Sequence, residues 1–198
     1  MKKTAMFFCL FTIAMLAYCQ DSGNVKELGV IFKNLDSYGL NYKWGRSTSL
    51  WRLDALVGDG YRMQEENNDS DIQNTEDGLS LSLRFGKEFR KVITERFQLR
   101  TGVLTQASYD SYNREQLGTG TGDFNYVRKT TTLGAHFILG VVYTNTSNFV
   151  FGVEVLPGIT YSFGHRGNDD DMVDPNDISI WNYGFDNSIA QLSIAYQF

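Results

Sequence analysis

The chain closes on Ser188-Ile189-Ala190-Gln191-Leu192-Ser193-Ile194-Ala195-Tyr196-Gln197-Phe198. In extended backbone, successive side chains point to opposite faces. One face of this stretch then carries Ala190, Leu192, Ile194, Tyr196 and Phe198, and the other carries Ile189, Gln191, Ser193, Ala195 and Gln197. The first face is apolar and ends on an aromatic ring. The second is small and polar. A helix would mix the two sets, so the pattern predicts a strand with one face in a greasy medium.

The same alternation runs back through the chain. Tyr38, Leu40, Tyr42 and Trp44 oppose Gly39, Asn41 and Lys43; Leu79, Leu81, Leu83 and Phe85 oppose Ser80, Ser82, Arg84 and Gly86. Leu133, Ala135, Phe137, Leu139, Val141 and Tyr143 oppose Thr132, Gly134, His136, Gly140 and Val142. Similar segments begin near Val30, Trp51, Phe97 and Phe149, so the last strand makes about eight, most of them long enough to cross a bilayer at a tilt. The connections alternate too. Gly45 to Thr48, Lys91 to Thr94 and Asn145 to Asn148 are tight turns, whereas Arg62 to Asp77, Asp110 to Asn125 and His165 to Tyr183 read as long polar loops. Pro157 cannot donate to a ladder, which predicts a bulge in the seventh strand.

The other end of the chain reads as a secretory signal peptide. Lys2 and Lys3 precede an apolar run from Ala5 to Ala17, too short to span a bilayer. Ala17-Tyr18-Cys19 places small residues at the −3 and −1 positions, so cleavage before Gln20 is expected. Lipidation of Cys19 is the rival processing route; Tyr18 argues against it. This divides the chain into a signal peptide, 1–19, and a single domain, 20–198. Both cysteines, Cys9 and Cys19, lie before the cleavage point, so the mature domain has no disulfide and no thiolate site. Loss of Lys2 and Lys3 leaves 16 basic against 23 acidic residues, a charge of −7. Such a balance does not suit nucleic acid.

A terminal Phe, an aromatic two positions earlier and alternating apolar residues, behind a signal peptide, resemble the closing strand of small bacterial outer-membrane β-barrels of the OmpA/OmpX type. The resemblance implies an all-β domain: an eight-stranded, antiparallel, up-and-down transmembrane β-barrel. It implies the outer membrane of a Gram-negative-type bacterium, with both termini periplasmic. It also implies contact with outer-membrane lipid and lipopolysaccharide, and recognition by the barrel-assembly machinery through Leu192, Ile194, Tyr196 and Phe198.

The interior of eight strands is only just wide enough for side chains to fill it. Glycine beside long charged residues suits that space; rows of Phe, Leu, Tyr and Trp suit lipid. The expected inward set is Glu27, Lys33, Lys43, Arg52, Asp54, Arg84, Glu88, Arg90, Arg100, His136 and Glu154. Buried charges must pair, so a polar network filling the barrel is expected, with a narrow pore as the alternative. Aromatics near strand ends, Trp44, Trp51, Phe97, Tyr143, Phe149 and Phe198 at one rim and Tyr61, Tyr109, Tyr126, Tyr161 and Phe163 at the other, read as interfacial girdles. Tyr112, Trp181, Tyr183 and Phe185 read as further anchors.

No catalytic motif stands out, and no cofactor or metal is expected. A lipid-modifying enzyme at the outer rim remains the alternative, with His165 near Ser162 as its best pair. Acidic clusters at Glu65 to Asp77 and Asp169 to Asp177 read as solvated loops rather than Ca²⁺ sites, because their spacing lacks the alternate ligands of an EF-hand. The extracellular ligand, if there is one, is not named by the sequence.

Overall fold

β-Branched and aromatic residues alternating with Gly, Ser and charge favour pleated backbone, with a separate environment for each face. In the computed structural model that preference becomes ten strands. The structure describes residues 24–33, 37–67, 72–118, 124–168, 176–184 and 190–198. The strands are β1 (Val25–Lys33), β2 (Ser37–Arg46), β3 (Ser49–Asn67), β4 (Ile72–Val92) and β5 (Phe97–Gly118). They continue as β6 (Phe124–Thr144), β7 (Phe149–Val155), β8 (Gly158–Asn168), β9 (Asn176–Gly184) and β10 (Ala190–Gln197).

Every pairing is antiparallel, and sequential neighbours pair from β1 to β7. β7 and β8 both pair with β6 and form one seventh crossing. β9 pairs with β8 and β10 with β7, forming the eighth. β10 then pairs with β1 from Glu27↔Gln197 to Lys33↔Gln191. This last ladder closes the sheet into an eight-stranded barrel. Phe198 completes the seam: its N–H donates to the Lys26 carbonyl at 2.9 Å, and the Lys26 N–H donates back at 3.1 Å.

Three features depart from the sequence reading. The long polar connections are largely strand. β3 to β6 run 19, 21, 22 and 21 residues, well past what a bilayer requires, and only the hairpin tips fall outside the described residues. Beyond the membrane both faces of a hairpin meet water, so the apolar contrast that marks a strand vanishes while backbone pairing continues.

Pro157 makes no bulge against β6. Leu139↔Val155 and His136↔Gly158 keep one register, and the Phe137 N–H still donates to the Pro157 carbonyl at 2.8 Å. The irregularity lies on the other side. The chain takes three steps from Val155 to Gly158, but six between their partners Ala190 and Gly184. A further bulge adds one residue to β3 between Gly58 and Tyr61.

The third departure concerns Tyr112 and Tyr126. Tyr112 stands opposite the inward-facing Gly78, and Tyr126 shares its face with Thr130 and Thr132. The two rings meet edge to face at 6.1 Å inside the barrel's upper extension, not in a girdle.

The outer surface is an apolar belt. Leu83 and Val153 are each 58% exposed and Phe137 66%. Around the short-turn rim, Tyr42, Trp44, Phe85 and Trp51 follow one another with ring centroids 5.4, 6.3 and 5.3 Å apart. Phe97, Tyr143 and Phe151 continue the band. Tyr161 touches Phe163 and Trp181 near the other rim. An exposed apolar surface this continuous is not tolerated in water, and its two aromatic bands match a lipid bilayer. Inside, Leu104, Ile138 and Leu156 form a small buried apolar cluster.

Candidate functional site

Strand parity brings the charged residues of six strands into the half of the barrel nearest the short turns. Glu154 on β7 is their hub. Arg52 on β3 grips it with both Nη atoms, at 2.8 and 2.6 Å, and its Nε donates to Asp54 at 2.9 Å. Arg100 on β5 donates from Nη1 to Glu154 at 2.6 Å. Gln191 on β10 adds a fourth donor at 3.0 Å. The carboxylate is thereby saturated, which is what burial of a charge demands.

Glu88 on β4 forms a second hub. Lys43 lies 2.9 Å away and Arg90 Nε 2.7 Å away. Arg100 Nε approaches to 3.1 Å as a charge contact rather than an aligned hydrogen bond. Arg90 also forks onto Glu27 at 2.6 and 2.7 Å, and Lys43 stands 3.9 Å from the same carboxylate. These eight residues, Glu27, Lys43, Arg52, Asp54, Glu88, Arg90, Arg100 and Glu154, are all buried. They balance four positive against four negative charges. Asn41 donates to Asp54 at 3.3 Å and completes the layer.

Glycine makes room for it. A Cβ on Gly152 would stand 2.9 Å from both Nη atoms of Arg100 and closer still to Ser193 Oγ. Arg100 cannot retreat without leaving Glu154. Gly152→Val is expected to cost about 1–3 kcal/mol, the usual range for overpacking. Chemical unfolding of the refolded barrel measures it; an unchanged midpoint would show that Arg100 is not confined.

Lys33, Arg84 and His136 stand apart from this layer. Arg84 links it to the space above, donating to Gln106 at 3.0 Å and to Gln191 at 2.9 Å. His136 Nδ1 lies 3.3 Å from the Leu156 carbonyl. All three line a polar cup of about 380 Å³, walled by hydroxyls that include Ser80, Ser82, Ser108 and Thr160. A second cavity of about 540 Å³ shares Ser80, Asp110, Thr132, Ser162 and Asn182 with the cup and extends it toward Tyr112, Tyr126 and Arg128. The barrel interior is thus a charged layer below a widening, hydroxyl-lined space.

The suspected pair of Ser162 and His165 is not assembled. Ser162 faces inward and shares a 2.7 Å hydrogen bond with Thr132. His165 is exposed on the outer face, with Nδ1 2.7 Å from Asp177 Oδ1. Among the described residues no group of His, Cys, Asp or Glu could hold a metal ion. Asp69, Asp71, Asp169, Asp170, Asp171 and Asp174 lie outside the described residues. Leu192, Ile194 and Tyr196 project outward from β10, and Phe198 follows them at the seam.

Sequence reading missed the inward face above the membrane. Arg114, Arg128 and Arg166 lie on it, because the parity of Asp110 continues through Tyr112 to Arg114, and that of Thr132 and Thr130 through Arg128. That continuing parity was the available signal.

A major outer membrane protein from Thermus thermophilus has a similar structure: TM-score 0.52 at 9% identity, covering 88% of this chain and 99% of that one. The fold is that of a small outer-membrane β-barrel. Ail, the attachment invasion locus protein of Yersinia pestis, aligns over 90% of this chain and 100% of its own, with 14% identity and a TM-score of 0.39. The N-terminal β-barrel domain of OprF from Pseudomonas aeruginosa aligns over the same shares, with 14% identity and a TM-score of 0.35. At these identities the likeness is one of fold. No protein-family model and no curated protein sequence matches the chain.

Proposed function

We propose that the chain is an integral outer-membrane protein whose barrel is sealed on the periplasmic side and works from its outer face. In this reading the short turns and both termini are periplasmic, and the long hairpins stand outside the cell. Residues 1–19 direct export and are removed. The barrel is surrounded by outer-membrane lipid and lipopolysaccharide, and its role is structural or interactive rather than catalytic.

The observation that carries this reading is the neutral layer of eight buried, mutually paired charges. An ion passing through would have to separate buried ion pairs in contact at 2.6–2.9 Å. The mature protein in planar bilayers should therefore show no discrete conductance steps. Regular steps in the wild-type protein would mean that the layer opens, and a narrow pore would replace the sealed barrel.

The C-terminal strand is assigned to assembly. Phe198→Ser should slow insertion by the cell's assembly machinery far more than unassisted refolding into detergent. Equal slowing in both settings would reduce Phe198 to a seam residue.

A further inference from the structure

Among the described residues, the upper half of the barrel interior carries more arginine than carboxylate. On its inward face Glu76 pairs with Arg114 at 3.4 Å, and Asp110 accepts a hydrogen bond from Ser80 at 2.5 Å. Both acids are thus engaged. Arg128 on β6 and Arg166 on β8 remain, directly opposite each other in the ladder. Among the described residues neither has a carboxylate partner. Like charges placed opposite one another weaken a sheet, and in a chain with an acidic balance nothing in the overall composition calls for them.

Three neighbouring features give this pair a chemical sense. The cavity beneath Arg128 is about 540 Å³ and joins the cup of about 380 Å³. Both volumes are typical of small-molecule sites. Its walls are hydroxylic, and Ser82 Oγ is buried at the cup without a hydrogen-bond partner among the described residues. Near its mouth the Tyr112 and Tyr126 rings offer apolar faces with phenolic edges. Paired guanidinium groups favour a planar or tetrahedral oxyanion, which they can hold through several parallel N–H donors. A hydroxyl-lined floor favours a body rich in hydroxyls.

We infer that the upper interior is a binding site for a small anionic sugar, a phosphorylated sugar or a sugar acid, whose acidic group lies between Arg128 and Arg166 and whose hydroxyls reach down toward Ser80, Ser82 and Thr132. The inference rests on the reading above only in that the mouth faces the outside. Binding to the solubilised barrel does not depend on orientation or on conductance, so either idea can fail without the other.

The test is isothermal titration of the refolded mature protein in a non-ionic, sugar-free detergent. Glucose 6-phosphate is the probe, with inorganic phosphate and methyl glucoside as part-ligands. Glucose 6-phosphate should bind at least tenfold more tightly than either part-ligand. Its affinity should fall at least tenfold in the Arg128→Gln/Arg166→Gln double variant, and it should weaken in 0.5 M NaCl. Tyr112→Leu should weaken it too, while leaving the charge in place, and serves if the double variant does not refold. Three results would overturn the inference: no binding of glucose 6-phosphate, equal binding of inorganic phosphate, or unchanged affinity in the double variant accompanied by a lower unfolding midpoint. The last would make the arginines structural.

Discussion

Glu154→Ala should lower the unfolding free energy of the barrel by about 3–5 kcal/mol, the cost of breaking a buried ion pair by removing one partner. Glu154 accepts from Arg52, Arg100 and Gln191 at once, so its loss orphans donors on three other strands. Asp54 and Glu88 still face the two arginines, but the layer is left with one excess positive charge in a buried site. The midpoint of urea unfolding, followed by heat-modifiable gel mobility, reads the effect. Removing Arg100 together with Glu154 restores neutrality. The double variant should therefore lose less than the sum of the two single losses. A Glu154→Ala barrel with wild-type stability and a large conductance would show that the layer gates a pore without supporting the fold.

Leu83→Arg should be the most costly substitution on the lipid face, at about 2–4 kcal/mol for a position near the bilayer midplane. Leu83 is 58% exposed, pairs with Ala55 and Ala107, and lies between the stacked Trp51–Phe85 pair and the Tyr109 level. Val127→Arg is the matched control. Val127 shares the outward face of β6 with Leu133 but pairs with Asn113 and Gly167 in the hairpin extension, where an arginine meets water. It should be tolerated within about 0.5 kcal/mol. Unfolding from lipid vesicles compares the two. Equal costs would remove the distinction between a lipid belt and an aqueous extension, and with it the assigned membrane depth.

What could be read from the sequence was parity. The alternation of Leu79 to Phe85 against Ser80 to Gly86 is a property of neighbouring residues, and it translates directly into strands with lipid-facing and inward sides. What could not be read was anything that depends on stagger between strands. Arg52 meets Glu154 across 102 residues of chain, and Glu27 meets Arg90 across 63. No local pattern encodes either distance. The hairpin extensions were missed for a different reason. Gln73-Asn74-Thr75 has no apolar contrast, so only its backbone ladder to β3 and β5 marks it as strand. Tyr126 was given to a girdle because its proximity to a strand end was read and its parity was not. Pro157 was given the right neighbourhood and the wrong strand for the irregularity: the extra residues lie between Gly184 and Ala190, opposite the proline rather than at it.

The seam between β1 and β10 joins the first and the last strand of the barrel. Hairpins such as β4–β5 can form as soon as their own residues are available, but the circle cannot be completed until the last strand has arrived. Contacts of such high sequence separation make folding slow, and an incomplete sheet exposes two unpaired edges to its neighbours. The paired charges within assemble from strands distant in sequence, so they too are secured only late. Once the seam has zipped, opening it again would uncover those charges, their donors and the sheet edges together. The same joint that delays maturation therefore favours a long lifetime for the finished barrel. Its persistence would be governed by the height of an exit barrier rather than by a continuous exchange with unfolded chain.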